Sequence, residues 1–213
     1  MPLTQATTSS LDALKAFSAA EELRAEGLEL EAIPLYERAI GLDRDFALAY
    51  ARLNAIFGNV EEWNKSAAYA NEAFARQNRA SERERFYIAS GYYIAGSQTD
   101  MDKYRETLEL WASTYPRDWY PLYALADTFN ASGQYTKGIE AARQALKLNP
   151  DSAMVYERVA ETYEGLSQWA EAKTVLESAV TARLDGVGVH ERLFEIAFVE
   201  GDRAAAARHE FEK

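Results

Sequence analysis

One spacing dominates the sequence: residues of matched size recur at intervals of 34. Pro116 and Pro150 stand 34 apart, as do Tyr135 and Trp169, Ala145 and Ala179, Phe129 and Tyr163, and Leu125 and Val159. A period of this length is one helical hairpin, a unit that cannot bury its apolar face alone and must stack on copies of itself. Within the period, apolar residues recur at three, four or seven, as in Leu14, Phe17, Leu23 and Ile33, Tyr36, Ile40, and no run alternates as a strand would. Gly27, Gly58, Gly133 and Gly201, with Pro116 and Pro150, punctuate the pattern and are expected between helices.

The register extends in both directions. Gly201 lies two periods after Gly133, whereas Gly27 lies 106 residues before it, three periods plus four. Ala39 and Ala73, Leu23 and Phe57, and Ala16 and Tyr50 hold the strict interval, while Asn78 to Pro116 spans 38, so the insertion belongs to the third repeat, roughly 81–115. The predicted fold is all-α, one elongated stack of about six hairpins over 11–213. Its repeats are approximately 11–45, 46–80, 81–116, 117–150, 151–185 and 186–213, after a flexible leader at 1–10.

Composition narrows the chemistry. Among 213 residues there is no cysteine, which excludes disulfides, thiolate metal sites and thiol nucleophiles and leaves the compartment open. No stretch reaches membrane-spanning length, and MPLTQATTSS has no apolar core of a signal peptide, so neither membrane insertion nor an anchor is expected. Thirty-four acidic against 23 basic side chains give a formal charge of −11, a field that opposes nucleic acid and anionic membranes.

In the fourth repeat, Leu122, Leu125, Ala126, Phe129, Gly133, Tyr135, Ala145 and Pro150 resemble the tetratricopeptide repeat, with Gly138 in place of the usual alanine. The fifth matches through Tyr156, Val159, Ala160, Tyr163, Trp169, Ala172 and Ala179, whereas the third departs by placing Trp111 where a small residue is usual. The resemblance implies a right-handed α-solenoid whose first helices line a concave groove. TSSLDALKAFS, RASERERFYIASGYY, ELWASTYPRDW and LDGVGVHERLFEIAFVEGDRAA further resemble the repeat region C-terminal to bacterial eukaryotic-like serine/threonine kinases. The kinase motifs themselves, GxGxxGxV, HRD and DFG, are absent from the sequence.

Little in the chain suggests catalysis. His190 and His209 are each followed by Glu without a second histidine at HExxH spacing, and His190 is expected to be structural and His209 solvated. GVGVHE lacks the third glycine of a nucleotide loop and is expected to be a turn, while Glu21 and Glu22 sit among many exposed glutamates. In RASERERF, alternating charge argues against RNA, and Ser81 with Glu84 forms a predicted capping box. No enzyme activity, cofactor or metal site is expected. Trp63, Trp111, Trp119 and Trp169 are expected to pack in the core.

The family's groove register, carried onto this chain, presents Tyr120, Tyr123, Asp127 and Asn130 from the fourth repeat. It adds Met154, Glu157, Glu161 and Glu164 from the fifth, and Glu191, Glu195 and Phe198 from the sixth. Such a surface suits a protein or peptide segment with basic and apolar side chains. The first repeats carry Phe17, Glu21, Ala51 and Ala55 there, not the Lys, Arg and Asn clamp that holds chaperone C-termini. Two alternatives stand beside this expectation: the carboxylates are merely a solvated helix face, or the chain is a spacer that self-associates through its solenoid ends.

Overall fold

The computed structural model describes residues 8–97, 99–184 and 186–204. The described residues form α-helices α1 (Leu11–Ala25), α2 (Glu29–Leu42), α3 (Ala47–Asn59), α4 (Trp63–Ala75), α5 (Glu82–Ala95) and α6 (Met101–Thr114). They continue with α7 (Trp119–Ala131), α8 (Tyr135–Leu148), α9 (Ala153–Gly165), α10 (Trp169–Thr181) and α11 (Val187–Glu200), and contain no strand. The chain divides into two compact units, 1–107 and 108–213. In the first, α1 packs on α2, α3 on α4, and α3 and α4 on α5; in the second, α7 packs on α8, α9 on α10, and α9 on α7, α8 and α11.

Small residues set these packings. Ala13, Ala16 and Ala20 on α1 meet Ala32 and Ala39 on α2, all buried, and the close approach lets Phe17 lie edge-on against Tyr36 with ring centroids 5.4 Å apart. Ala142 and Ala145 on α8, and Ala172 and Ala179 on α10, do the same work in the second unit. Two helix starts of the first unit carry side-chain caps. Ser10 Oγ accepts from Ala13 N at 3.2 Å, and Ser81 and Glu84 form the reciprocal capping box. The leader expected to be flexible over 1–10 is tied at its end, because the buried Thr8 donates its hydroxyl to Asp43 and accepts from Ser10 N.

The turn that follows each of α1, α3, α7, α9 and α11 holds one left-handed residue. Gly27, Gly133 and Gly201 occupy it at φ 82°, 72° and 73°, and Glu61 (φ 60°) and Ser167 (φ 57°) take the same place 34 residues after Gly27 and Gly133. Gly58, expected as a breaker, instead lies inside α3. A side chain at left-handed φ costs roughly 1–2 kcal/mol, partly offset by the extra freedom glycine has when unfolded. Ser167→Gly and Glu61→Gly are therefore each expected to stabilise the chain by about 0.5–1 kcal/mol in urea unfolding.

The four extra residues are divided. Helix α5 begins 35 residues after α3, following a 3-10 turn at Gln77–Arg79, and α7 begins 37 after α5. The tryptophans divide as well. Trp111 is 1% exposed and donates from Nε1 to Asp118 Oδ2 at 3.0 Å, whereas Trp119 and Trp169 are half-buried. Trp63, expected in the core, is 64% exposed.

Candidate functional site

Three helices, α7, α9 and α11, are the first members of their repeats and contact one another in turn, so side chains at matched positions form one face of the second unit. Its aromatic end lies on the first turns of α7. Asp118 starts that helix, with Oδ1 accepting from Tyr120 N at 3.4 Å while its other oxygen holds Trp111. The anchored indole lies 5.4 Å from the Tyr120 ring, Trp119 lies 5.8 and 5.9 Å from Tyr120 and Tyr123, and those tyrosines are 6.4 Å apart.

Beyond the aromatics, acids alternate with arginines that the sequence reading did not include. Arg158 Nη1 contacts Asp127 Oδ1 at 2.5 Å and Glu161 Oε2 at 2.7 Å, its Nη2 donates to the Tyr123 hydroxyl at 3.2 Å, and its guanidinium lies 4.9 Å over the Tyr123 ring. Arg192 reaches Glu161 at 3.6 Å and Glu164 at 2.8 Å. The expected acidic stripe of Glu157, Glu161 and Glu164 is thus neutralised at two of its three members.

The ladder follows the period. Asp127 pairs with Arg158 and Glu161 with Arg192, each acid meeting the arginine 31 residues later. In the first unit Glu21 accepts from Arg52, also 31 later, through both carboxylate oxygens at 3.0 Å. Arg52 lies 4.7 Å over the Tyr87 ring. Burial opposes the charges on Arg52 and Arg158, yet the tyrosine and carboxylate oxygens around each hold its pKa above the ordinary value. A search for Arg 31 residues after each acid would have found all three rungs.

The remaining site residues separate into two groups. Asn130 is only 8% exposed and donates from Nδ2 to Thr162 Oγ1 at 2.8 Å, so it is turned into the core rather than offered on the face. Its Oδ1 lies 2.4 Å from where a Cβ on Gly138 would stand, which explains the glycine in place of alanine. Gly138→Ala, nominally a return to the family pattern, is expected to cost about 1–3 kcal/mol by overpacking. Combining it with Asn130→Ala should recover most of that loss in the same denaturation assay.

Among the described residues, Glu157, Glu191 and Glu195 are the carboxylates of this face that make no ion pair, and Glu191 and Glu195 are exposed. Burial raises the Glu157 pKa, Arg192 opposes the rise and Glu191 adds to it; burial likewise raises Glu164 despite Arg192. The sign follows from linkage: a carboxyl whose folded pKa is raised is destabilising when ionised, and that penalty is absent below the unfolded pKa. Glu157→Gln should therefore raise the melting temperature at neutral pH, with the gain vanishing below about pH 4.

Met154 and Phe198 are exposed, and His190 is half-buried on α11; His209 lies outside the described residues. Among the described residues no group of His, Asp or Glu is placed to hold a metal, and no helix is long and apolar enough to cross a membrane.

Residues 119–162 match the tetratricopeptide repeat family. No curated protein matches the chain. A thermophilic tetratricopeptide-repeat protein of Thermus thermophilus superposes with a TM-score of 0.71 at 18% identity, covering 87% of this chain and 99% of its own. PilW, a type IV pilus biogenesis factor, gives 0.65 at 15%, covering 94% and 91% respectively. A tetratricopeptide repeat protein from Parabacteroides merdae ATCC 43184 gives 0.65 at 14%, covering 97% and 79%. The fold is that of a tetratricopeptide-repeat α-solenoid.

Proposed function

We propose that the chain is a non-catalytic scaffold that holds a partner segment bearing basic and apolar side chains against the face of α7, α9 and α11. The observation that carries this reading is Glu157, a half-buried carboxylate without an ion pair among the described residues, beside the exposed Glu191 and Glu195. Six carboxylates meet only two guanidiniums among the residues described for this face, so a Lys or Arg side chain would find uncompensated charge there. Tyr120 and Tyr123 supply rigid apolar area beside it. Ionised Glu157 is the form such a ligand favours, so affinity should rise as pH rises through the carboxylate range.

Peptide display on the intact chain tests the reading. The selected segments should be rich in Lys or Arg next to aromatic or aliphatic residues, and their capture should weaken with added salt. Glu191→Lys with Glu195→Lys, two exposed positions outside the arginine network, should abolish capture while leaving helicity unchanged. Undiminished capture by that folded variant would overturn the assignment.

The kinase-like wording of ELWASTYPRDW and RASERERFYIASGYY supports extending the proposal to a docking region that works beside a serine/threonine kinase domain. Such a kinase should then phosphorylate a selected segment faster when fused to this chain than when separate, and equal rates would remove the extension.

A further inference from the structure

A second surface lies on the first unit, where the turns within the first two hairpins come together. Leu28 and Leu30 flank the turn before α2, Val60 and Trp63 the turn before α4, and all four are exposed, Leu30 to 58% and Trp63 to 64%. The two turns are neighbours, because Asn59 Nδ2 donates to Glu29 Oε2 at 2.9 Å.

Trp63 stands out because of what should cover it. The first residue of a second helix meets the residue 30 positions later: Glu29 bonds Asn59, and Tyr135 lies on Gly165 so closely that a Cβ there would be 2.2 Å from its ring. Before α5 the chain carries one extra residue, so the helix position held by Asn59 in α3 and Gly165 in α9 falls on Ile94, 43% exposed, beside Tyr93, whose ring packs against Phe74 and Tyr92 at 6.0 and 5.6 Å with the Lys103 ammonium 5.7 Å away. The indole has no glycine to lie on and projects into solvent. In the second unit, 106 residues on, Gln134 and Thr136 replace Leu28 and Leu30, so the repeat does not require this apolar edge.

Its border is acidic. Glu26, Glu31 and Glu61 are exposed and pair with no cation among the described residues, while Lys65 is engaged by Glu62 at 3.6 Å and Arg24 by Glu29 at 3.0 Å. We propose that this edge docks an amphipathic helix of a partner protein, its apolar stripe on Trp63, Leu30, Val60 and Leu28 and its flanking Lys or Arg on Glu26, Glu31 and Glu61. An exposed tryptophan rimmed by charge has the composition of an interaction hot spot. The carboxylate rim sets the occupant: an anionic lipid surface or a second copy of this edge would bring like charge against it.

The probe is an 18-residue helical peptide of leucine and lysine with one apolar face, compared with its leucine–glutamate counterpart, each carrying a fluorescent label so that binding to the full chain is read from label anisotropy and the environment of Trp63 from tryptophan emission. The leucine–lysine peptide should bind and shift the emission to the blue, Trp63→Phe should remove the shift, and the leucine–glutamate peptide should not bind. Trp63→Ser with Leu30→Ser should weaken binding about tenfold, whereas Glu191→Lys with Glu195→Lys on the other face should leave it within about twofold. Glu26→Lys with Glu61→Lys, which preserves the apolar stripe, should reverse the choice of peptide. Equal binding of both peptides, or undiminished binding by the serine variant, would overturn the proposal. So would preference for phosphatidylglycerol vesicles, or a dimer abolished by the serine variant.

Discussion

Trp111→Ala is expected to lower the unfolding free energy by about 3–5 kcal/mol, the largest loss from any single side chain discussed above. The indole is 1% exposed, so its removal forfeits transfer energy and leaves a cavity that surrounding helices fill only in part. It also takes the Nε1 donor from Asp118, a buried carboxylate that caps α7 and bears the Tyr120 end of the proposed face. Trp111→Phe separates the two contributions, keeping most of the volume while deleting the hydrogen bond, and should cost about 1–2 kcal/mol. Urea denaturation followed by circular dichroism measures both, and a loss below about 1 kcal/mol for the alanine variant would contradict the packing described.

Arg158→Ala should cost about 1–2 kcal/mol: the guanidinium is well buried, but the acids it meets are 46% and 36% exposed, so water screens much of what they lose. Asp127 and Glu161 would lose their shared cation, and Tyr123 both its hydroxyl donor and the guanidinium over its ring. The effect is in the partners left behind, so Arg158→Ala combined with Asp127→Ala and Glu161→Ala should be less damaging than the sum of the separate losses. Strict additivity in that cycle would show that the ladder is a set of independent surface contacts. Arg192→Ala should follow the same direction more weakly, since its side chain is 27% exposed against 15% for Arg158 and, among the described residues, no aromatic ring lies under its guanidinium.

The repeat period carried the all-helical fold, because hairpins of one length impose their register on every buried position. It also located the left-handed turn residues at Gly27, Gly133 and Gly201, but not Glu61 and Ser167, since composition marks glycine and only backbone geometry marks a strained side chain. Trp111, unusual against the family pattern, is accommodated by Asp118, a polar partner seven residues away that a size-based comparison does not weigh. On the face of α7, α9 and α11, adding up acids along one helix produced an unpaired stripe. The arginines that break it are Arg158, three residues before Glu161 on the same helix, and Arg192 of the next repeat, 31 residues after Glu161 and 28 after Glu164. Asn130 was misplaced for a related reason: Gly138 leaves the space that draws it inward, and that space belongs to a different helix.

The most direct test of the central claim is a map of amide shifts in the intact chain as it is titrated with a peptide selected by display. Binding to the proposed face should concentrate the perturbations on Tyr120, Tyr123, Glu157, Glu191 and Glu195 and leave the second helices α8 and α10 little changed. Perturbations confined to α8 and α10, or absent from all five residues while the peptide is bound, would contradict it.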